Sequence, residues 1–284
     1  MRNLFIVLIS LITINGFALP PALADSNAGL SIEDAASVEE AVERISAILE
    51  KQGFDIVLVV NHADAAESVK LKLRPTQVIY ARQPRILERL TLKRSDTIGI
   101  DLPLKFLVFE DAEGEIQEIS NPLGYLVDRH DIKPKDFLLR WLQFRVNQFG
   151  KPASGLVTIP SNQTFEETVE SLKTAIPSPP FRFPLEVDFD DGPGSYRKHR
   201  GSRLPFLLVF GNPAVGTPLM QEDQRIGLDL PQEYLVWEDR DGGVYITWND
   251  PFFIAERYDI RDQDERLTLI ANALNNFAQI GAGN

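Results

Sequence analysis

The residues of this chain that are able to do chemistry are few and scattered. The three histidines, His62, His130 and His199, form no i, i+4 pair, and a metal needs three or four converging ligands. There is no cysteine, which excludes disulfides, thiolate metal sites, covalent haem and a cysteine nucleophile. Asp188-x-Asp190-Asp191-Gly192 lacks the spacing and the bidentate Glu of a calcium hand, and no G-x-S-x-G elbow is present. We expect no catalytic residue of these types, no metal and no cofactor. Gly211-x-x-x-x-Gly216-Thr217 has part of a phosphate-loop pattern, but the Lys before the hydroxyl is missing and Pro218 stands where a helix would have to continue. The segment reads as a turn, with glycines for unusual backbone angles, Asn212-Pro213 as a turn pair, and free N–H groups that can hold an anion or carboxylate.

The candidate ligand-binding residues are His62, Arg74, Gly211, Asn212, Pro213, Gly216 and Thr217, with Asp101 and Asp229. The two aspartates occupy identical Asp-Leu-Pro steps. Each is either a carboxylate in a cleft or, as we favour, one that accepts neighbouring backbone N–H groups. Arg129 with Asp131, and Arg257 with Asp259, read as local ion pairs. Asn121 and Asn249 read as helix caps.

These pairings belong to an internal repeat. Ile98-Gly99-Ile100-Asp101-Leu102-Pro103 returns as Ile226-Gly227-Leu228-Asp229-Leu230-Pro231. At the same offset of 128, Leu107-Val108-Phe109-Glu110-Asp111 matches Leu235-Val236-Trp237-Glu238-Asp239, and Arg129-His130-Asp131-Ile132 matches Arg257-Tyr258-Asp259-Ile260. Self-similarity at a fixed period means one structural unit used twice. Ser37-x-x-Glu40 and Thr164-x-x-Glu167 predict capping boxes, each opening an amphipathic helix. Strands are predicted at 54–60 and 181–189, and at 77–81 and 206–210. Hairpins follow over 105–120 and 233–248, around Glu113-Gly114 and Asp241-Gly242-Gly243. A second amphipathic helix closes each repeat; Leu267, Ile270, Ala271, Leu274, Phe277 and Ala278 form its stripe in the second. A short strand before each first helix is expected at 29–32 and 156–159. The order is strand, helix, four strands, helix: an α+β fold of two tandem repeats, each an antiparallel sheet with helices on one face.

The chain has 284 residues, with 29 Lys and Arg against 41 Asp and Glu and a net charge of −12. That balance argues against nucleic acid, because phosphates need a basic face. The basic run Arg197-Lys198-His199-Arg200 reads as a solvated loop. Met1 to Ala24 combines Arg2, an apolar run from Leu4 to Ile12 and an Ala22-x-Ala24 step, the pattern of a cleavable signal peptide. The run is short of the roughly 20 residues that span a bilayer. We expect cleavage after Ala24, a periplasmic or secreted protein without stable membrane insertion, a first repeat over 25–150 and a second over 151–284, joined near Gly150 to Gly155.

Phe210-Gly211-Asn212-Pro213-Ala214-Val215-Gly216-Thr217-Pro218-Leu219-Met220, followed by Leu228-Asp229-Leu230-Pro231, resembles the signature of the domain-of-unknown-function 302 family. Asn61-His62-Ala63 with Leu73-Arg74-Pro75-Thr76 resembles its upstream half. The resemblance covers residues 30 to 280 as two copies. It implies a TBP-like α+β fold and a monomer that acts as an intramolecular pseudo-dimer; it supplies no reaction. The copies depart from the pattern in complementary ways. The first keeps His62 and Arg74-Pro75, and the second keeps Gly211-Asn212-Pro213 and Gly216-Thr217. This suggests one composite site shared between them. The preferred function is binding of a small molecule or protein partner without catalysis. The rivals are a hydrolase-like or other enzyme using His62 and the Gly211–Thr217 loop, with Asp101 or Asp229 in support, and a purely structural interaction module.

Overall fold

The computed structural model describes residues 35–132, 154–191 and 203–284. The expected leader, the strand expected at 29–32, the helix expected to close the first repeat, residues 150–153 of the expected linker and the basic run at 197–200 lie outside the described residues.

The first repeat opens with α1 (Val38–Lys51), capped by Ser37, whose hydroxyl accepts the Glu40 N–H. The Glu40 carboxylate takes the Ala36 N–H instead of closing the box on Ser37. Gly53, at φ 84°, supplies the left-handed residue that turns the chain out of the helix. The chain continues through β1 (Asp55–Asn61), α2 (His62–Ser68), β2 (Thr76–Arg82), α3 (Arg85–Leu92), a 3-10 turn (Ile98–Asp101), β3 (Leu104–Glu110), β4 (Ile116–Ser120) and α4 (Leu123–Arg129). The second repeat runs β5 (Leu156–Pro160), α5 (Phe165–Ala175), β6 (Arg182–Asp188), β7 (Phe206–Gly211), α6 (Pro213–Glu222), a 3-10 turn (Gln224–Asp229), β8 (Gln232–Glu238), β9 (Val244–Asn249), α7 (Pro251–Arg257) and α8 (Asp264–Gly281). In α5 the Thr164–Glu167 capping box is complete.

Each repeat forms one antiparallel sheet, ordered β1-β2-β3-β4 in the first and β5-β9-β8-β7-β6 in the second. Val78 pairs with Leu107 and Leu207 with Leu235, so β2 and β7 are equivalent strands in equivalent registers. Their alternation assigns each side chain to a layer. Ile79, Ala81, Phe106 and Val108 pack on α1. Leu208, Phe210, Tyr234 and Val236 pack on α5 and α8. The opposite faces, with Val78, Leu107, Phe109, Leu207, Val209 and Leu235, share one core. The architecture is therefore α+β, with two sheets facing each other across one core, to which Leu92 of α3 and Leu126 of α4 also contribute, and with α1, α5 and α8 on the outer faces.

Several local expectations change. The segment from Gly211 to Thr217 is not a turn but the end of β7 and the start of α6. Pro213 occupies the first helical position, where its missing N–H costs nothing. Asn212 Oδ1 accepts the Ala214 N–H, and the Asn212 carbonyl takes those of Val215 and Gly216. The amides expected to be free for an anion are thus already used. The helix runs through Pro218, which forfeits only its own N–H bond. The short helices α2, α3 and α6 between the strands were not foreseen. Asn121 and Asn249 do not cap helices: α4 starts after Pro122, and Asp250 caps α7. Arg129 and Arg257 pair not with Asp131 and Asp259 but with Asp101 and Asp229.

Candidate functional site

A cavity of about 550 Å³ opens between the repeats' unlike parts. The first repeat contributes the end of β1 and the start of α2, including Leu58, Val60 and His62. The second contributes Phe181, Phe210 and Gly211, α6 through Met220, Leu230 to Gln232, and one face of α8 from Leu269 to Phe277. His62, Gly211, Asn212, Pro213, Gly216 and Thr217 all line it. The structure thus brings together six of the nine candidate residues, and they come from both copies.

The interior is apolar and the charges are peripheral: Asp64 and Arg182, the wall residues that carry charge, are exposed. His62 is buried, and its Nε2 lies 3.2 Å from the Gly227 carbonyl. Burial lowers its pKa to about 4, with the Gly227 and Leu230 carbonyls opposing. The imidazole is therefore neutral at pH 7, held by main-chain carbonyls and not by Asp101 or Asp229. Two further wall residues carry buried oxygens, Thr217 Oγ1 and Gln232 Oε1, with no hydrogen-bond partner among the described residues. Unmet buried oxygens cost about 1–3 kcal/mol each. In the second repeat the residue equivalent to His62 by strand register is Phe189, buried against the shared core.

Arg74 lies beside this cavity, not in it. Its Nε donates to Gln224 Oε1 at 2.8 Å and to the Glu110 carbonyl at 3.2 Å, and it lines a smaller pocket with Lys72 and Gln221. Asp101 and Asp229 are in neither pocket. Asp101 accepts both oxygens' worth of bonds from Arg129 Nη1, at 3.0 and 3.1 Å, and lies 2.6 Å from His130 Nε2. Burial alone would raise its pKa; Arg129 and His130 outweigh that and hold the carboxyl well below the usual range. Asp229 accepts from Arg257 Nη1 at 3.0 Å and Tyr258 Oη at 2.7 Å. The network then crosses the repeats: Arg129 donates to Asn249, and Arg257 donates to Asn121 at 2.6 Å. Among the described residues no group of three or more His, Asp or Glu is placed to hold a metal, and no helix is long and apolar enough to cross a membrane.

Sequence reasoning missed the α8 side of the cavity. Ile270, Leu274 and Phe277 showed only as a core stripe, and a stripe does not say which of its residues border a void.

The chain is 41% identical over 109 residues to a protein of Brucella suis biovar 1 (strain 1330) named fluoride-specific ion channel FluC 1, covering 38% of this chain and 41% of that one. A protein of the same name from Brucella abortus biovar 1 (strain 9-941) matches at the same identity over 39% of its length. The chain thus spans about two-fifths of the length of these curated relatives. The crystal structure of an uncharacterized conserved protein DUF302 from Bacillus stearothermophilus aligns at a TM-score of 0.38 and 16% identity, over 45% of this chain and 98% of its own. The family model for the domain of unknown function DUF302 matches twice, at residues 30–140 and 157–277. Together these two segments take in most of the chain, one for each sheet, and the chain belongs to the DUF302 family as a tandem pair.

Proposed function

We propose that this chain is an exported binding protein whose cavity takes up a small, largely apolar molecule without converting it. The observation that carries the reading is the composite wall: an apolar interior of about 550 Å³, within the roughly 300–1,000 Å³ of ordinary ligand sites, bordered by a neutral His62 and by Thr217 and Gln232 with unmet oxygens. A ligand with an apolar body and one hydrogen-bonding end matches that lining. Among the described residues no carboxylate is hydrogen-bonded to His62 to orient it as a general base, which supports binding over catalysis.

Native mass spectrometry of the protein purified from a periplasmic extract tests this directly, with 1-dodecanol as the added probe for thermal shifts. Dodecanol is expected to raise Tm in a concentration-dependent way, and Ala273→Trp, which fills the cavity, is expected to abolish the shift while the protein stays folded. A shift that survives Ala273→Trp, or none with the wild type, overturns the reading. His62→Ala and Asn212→Ala are expected to weaken the same shift, since both residues border one space.

A further inference from the structure

The repeats meet through contacts that come in exchanged pairs. Arg129 reaches Asn249, and Arg257 reaches Asn121. A Cβ on Gly99 would stand 2.8 Å from Leu235, and one on Gly227 would stand 3.1 Å from Leu107. Every member of these pairs is the other's image at the offset of 128, the signature of a twofold relation between repeats. A residue that faces its own counterpart sits on that axis. Lys105 and Glu233 do so: they occupy equivalent positions, their Nζ and Oε2 are 2.8 Å apart, and their side chains are 2% and 1% exposed.

An axis position between two identical faces would set like against like. Lys105 would meet a lysine or Glu233 a glutamate, away from water, where an unpaired charge is strongly unfavourable. Asp101 with Arg129 flanks the pair from the first repeat and Asp229 with Arg257 from the second, and the Tyr80 ring lies 6.0 Å from Lys105 Nζ. We infer that the Lys105–Glu233 pair selects the partner: it makes the inner face of the first repeat accept the second repeat and refuse a second copy of itself. Because the flanking charges are balanced across the axis, the pair is also reversible.

The test uses the full chain with Lys105→Glu, Glu233→Lys and both together. Each single variant is expected to lose about 10 °C or more in Tm, or to fail to fold. The double variant is expected to return to within about 5 °C of wild type. The two single variants, unfolded separately and refolded as a mixture, present matched charges only between chains, and are expected to give a 1:1 complex of twice the mass that neither forms alone. A double variant no more stable than the singles overturns the inference, as does a mixture that yields no such complex.

Discussion

His62 joins burial, neutrality and a place on the cavity wall, and its protonation is the clearest titration to follow. Its folded pKa is depressed from 6.5 to about 4, so the folded state resists the proton. The stability that follows from this is complete above about pH 6.5 and is lost as pH falls toward 4, by about 3 kcal/mol in all. Glu233 works in the opposite sense. Burial raises it to about 7 against the pull of Lys105, so its contribution declines as pH rises from about 4.5 to 7. The difference between wild type and His62→Gln isolates the first effect: urea unfolding of the variant should lack the loss between pH 6.5 and 4. Arg129 and Arg257 look alike in sequence but differ in burial, at 2% and 20% of the side chain exposed. Arg129→Met should cost about 3–5 kcal/mol by taking a fully buried guanidinium from the buried Asp101, and Arg257→Met about 2–3 kcal/mol, because that guanidinium is already partly solvated and the buried Asp229 keeps the Tyr258 hydroxyl; denaturant midpoints decide. At this scale the repeat marked Asp101, Asp229, Arg129 and Arg257 as matched, but not with whom. Spacing along the chain favoured Asp131 and Asp259, whereas the real partners are brought in from the 3-10 turns by the sheets.

At the scale of elements, periodicity located the outer helices α1, α5 and α8, the hairpins and the paired strands, because each carries a burial pattern of its own. The short helices that follow β1 and β7 carry no such pattern, and in α3, after β2, the apolar Ile86 and Leu90 are exposed while Glu88 is buried. In α6 the signal is local chemistry: Asn212-Pro213 serves as cap and first helical position but suits a turn equally well, and Gly211 and Gly216 point the same way. The Asn212 cap is therefore important to α6. Asn212→Ala should destabilise by about 1 kcal/mol, and Thr164→Ala at the complete capping box of α5 by a similar amount, both measured by thermal unfolding. Only Asn212→Ala should also weaken probe binding, since α5 is no part of the cavity wall.

For the molecule as a whole, the inner faces of both sheets form one core, and the Lys105–Glu233 ion pair and the Arg129–Asn249 and Arg257–Asn121 hydrogen bonds bridge both repeats. The two halves should unfold together. Leu107→Ala, in the first repeat, removes a fully buried side chain and should cost about 2–5 kcal/mol. It should also accelerate amide exchange in β7 and β8 of the second repeat as much as in β2. Exchange confined to the first repeat would mean two independent units. The tandem fold was legible because it is written twice. The composite cavity was legible in outline because each copy keeps what the other has lost; its far wall was not, since nothing in a single chain's pattern tells which part of α8 faces open space.

The approach of Gly99 to Leu235 and of Gly227 to Leu107 bears on how such a gene can change. Copies of a duplicated segment are usually free to diverge one substitution at a time. Here a larger residue at Gly99 presses on Leu235 in the other copy, and one at Gly227 requires Leu107 to give way by a few tenths of an ångström, so what each glycine can become depends on the side chain that the other copy presents. Divergence across this seam has to proceed in coordinated steps, while the helix-covered outer faces drift independently, and the two halves age at one pace only where they touch.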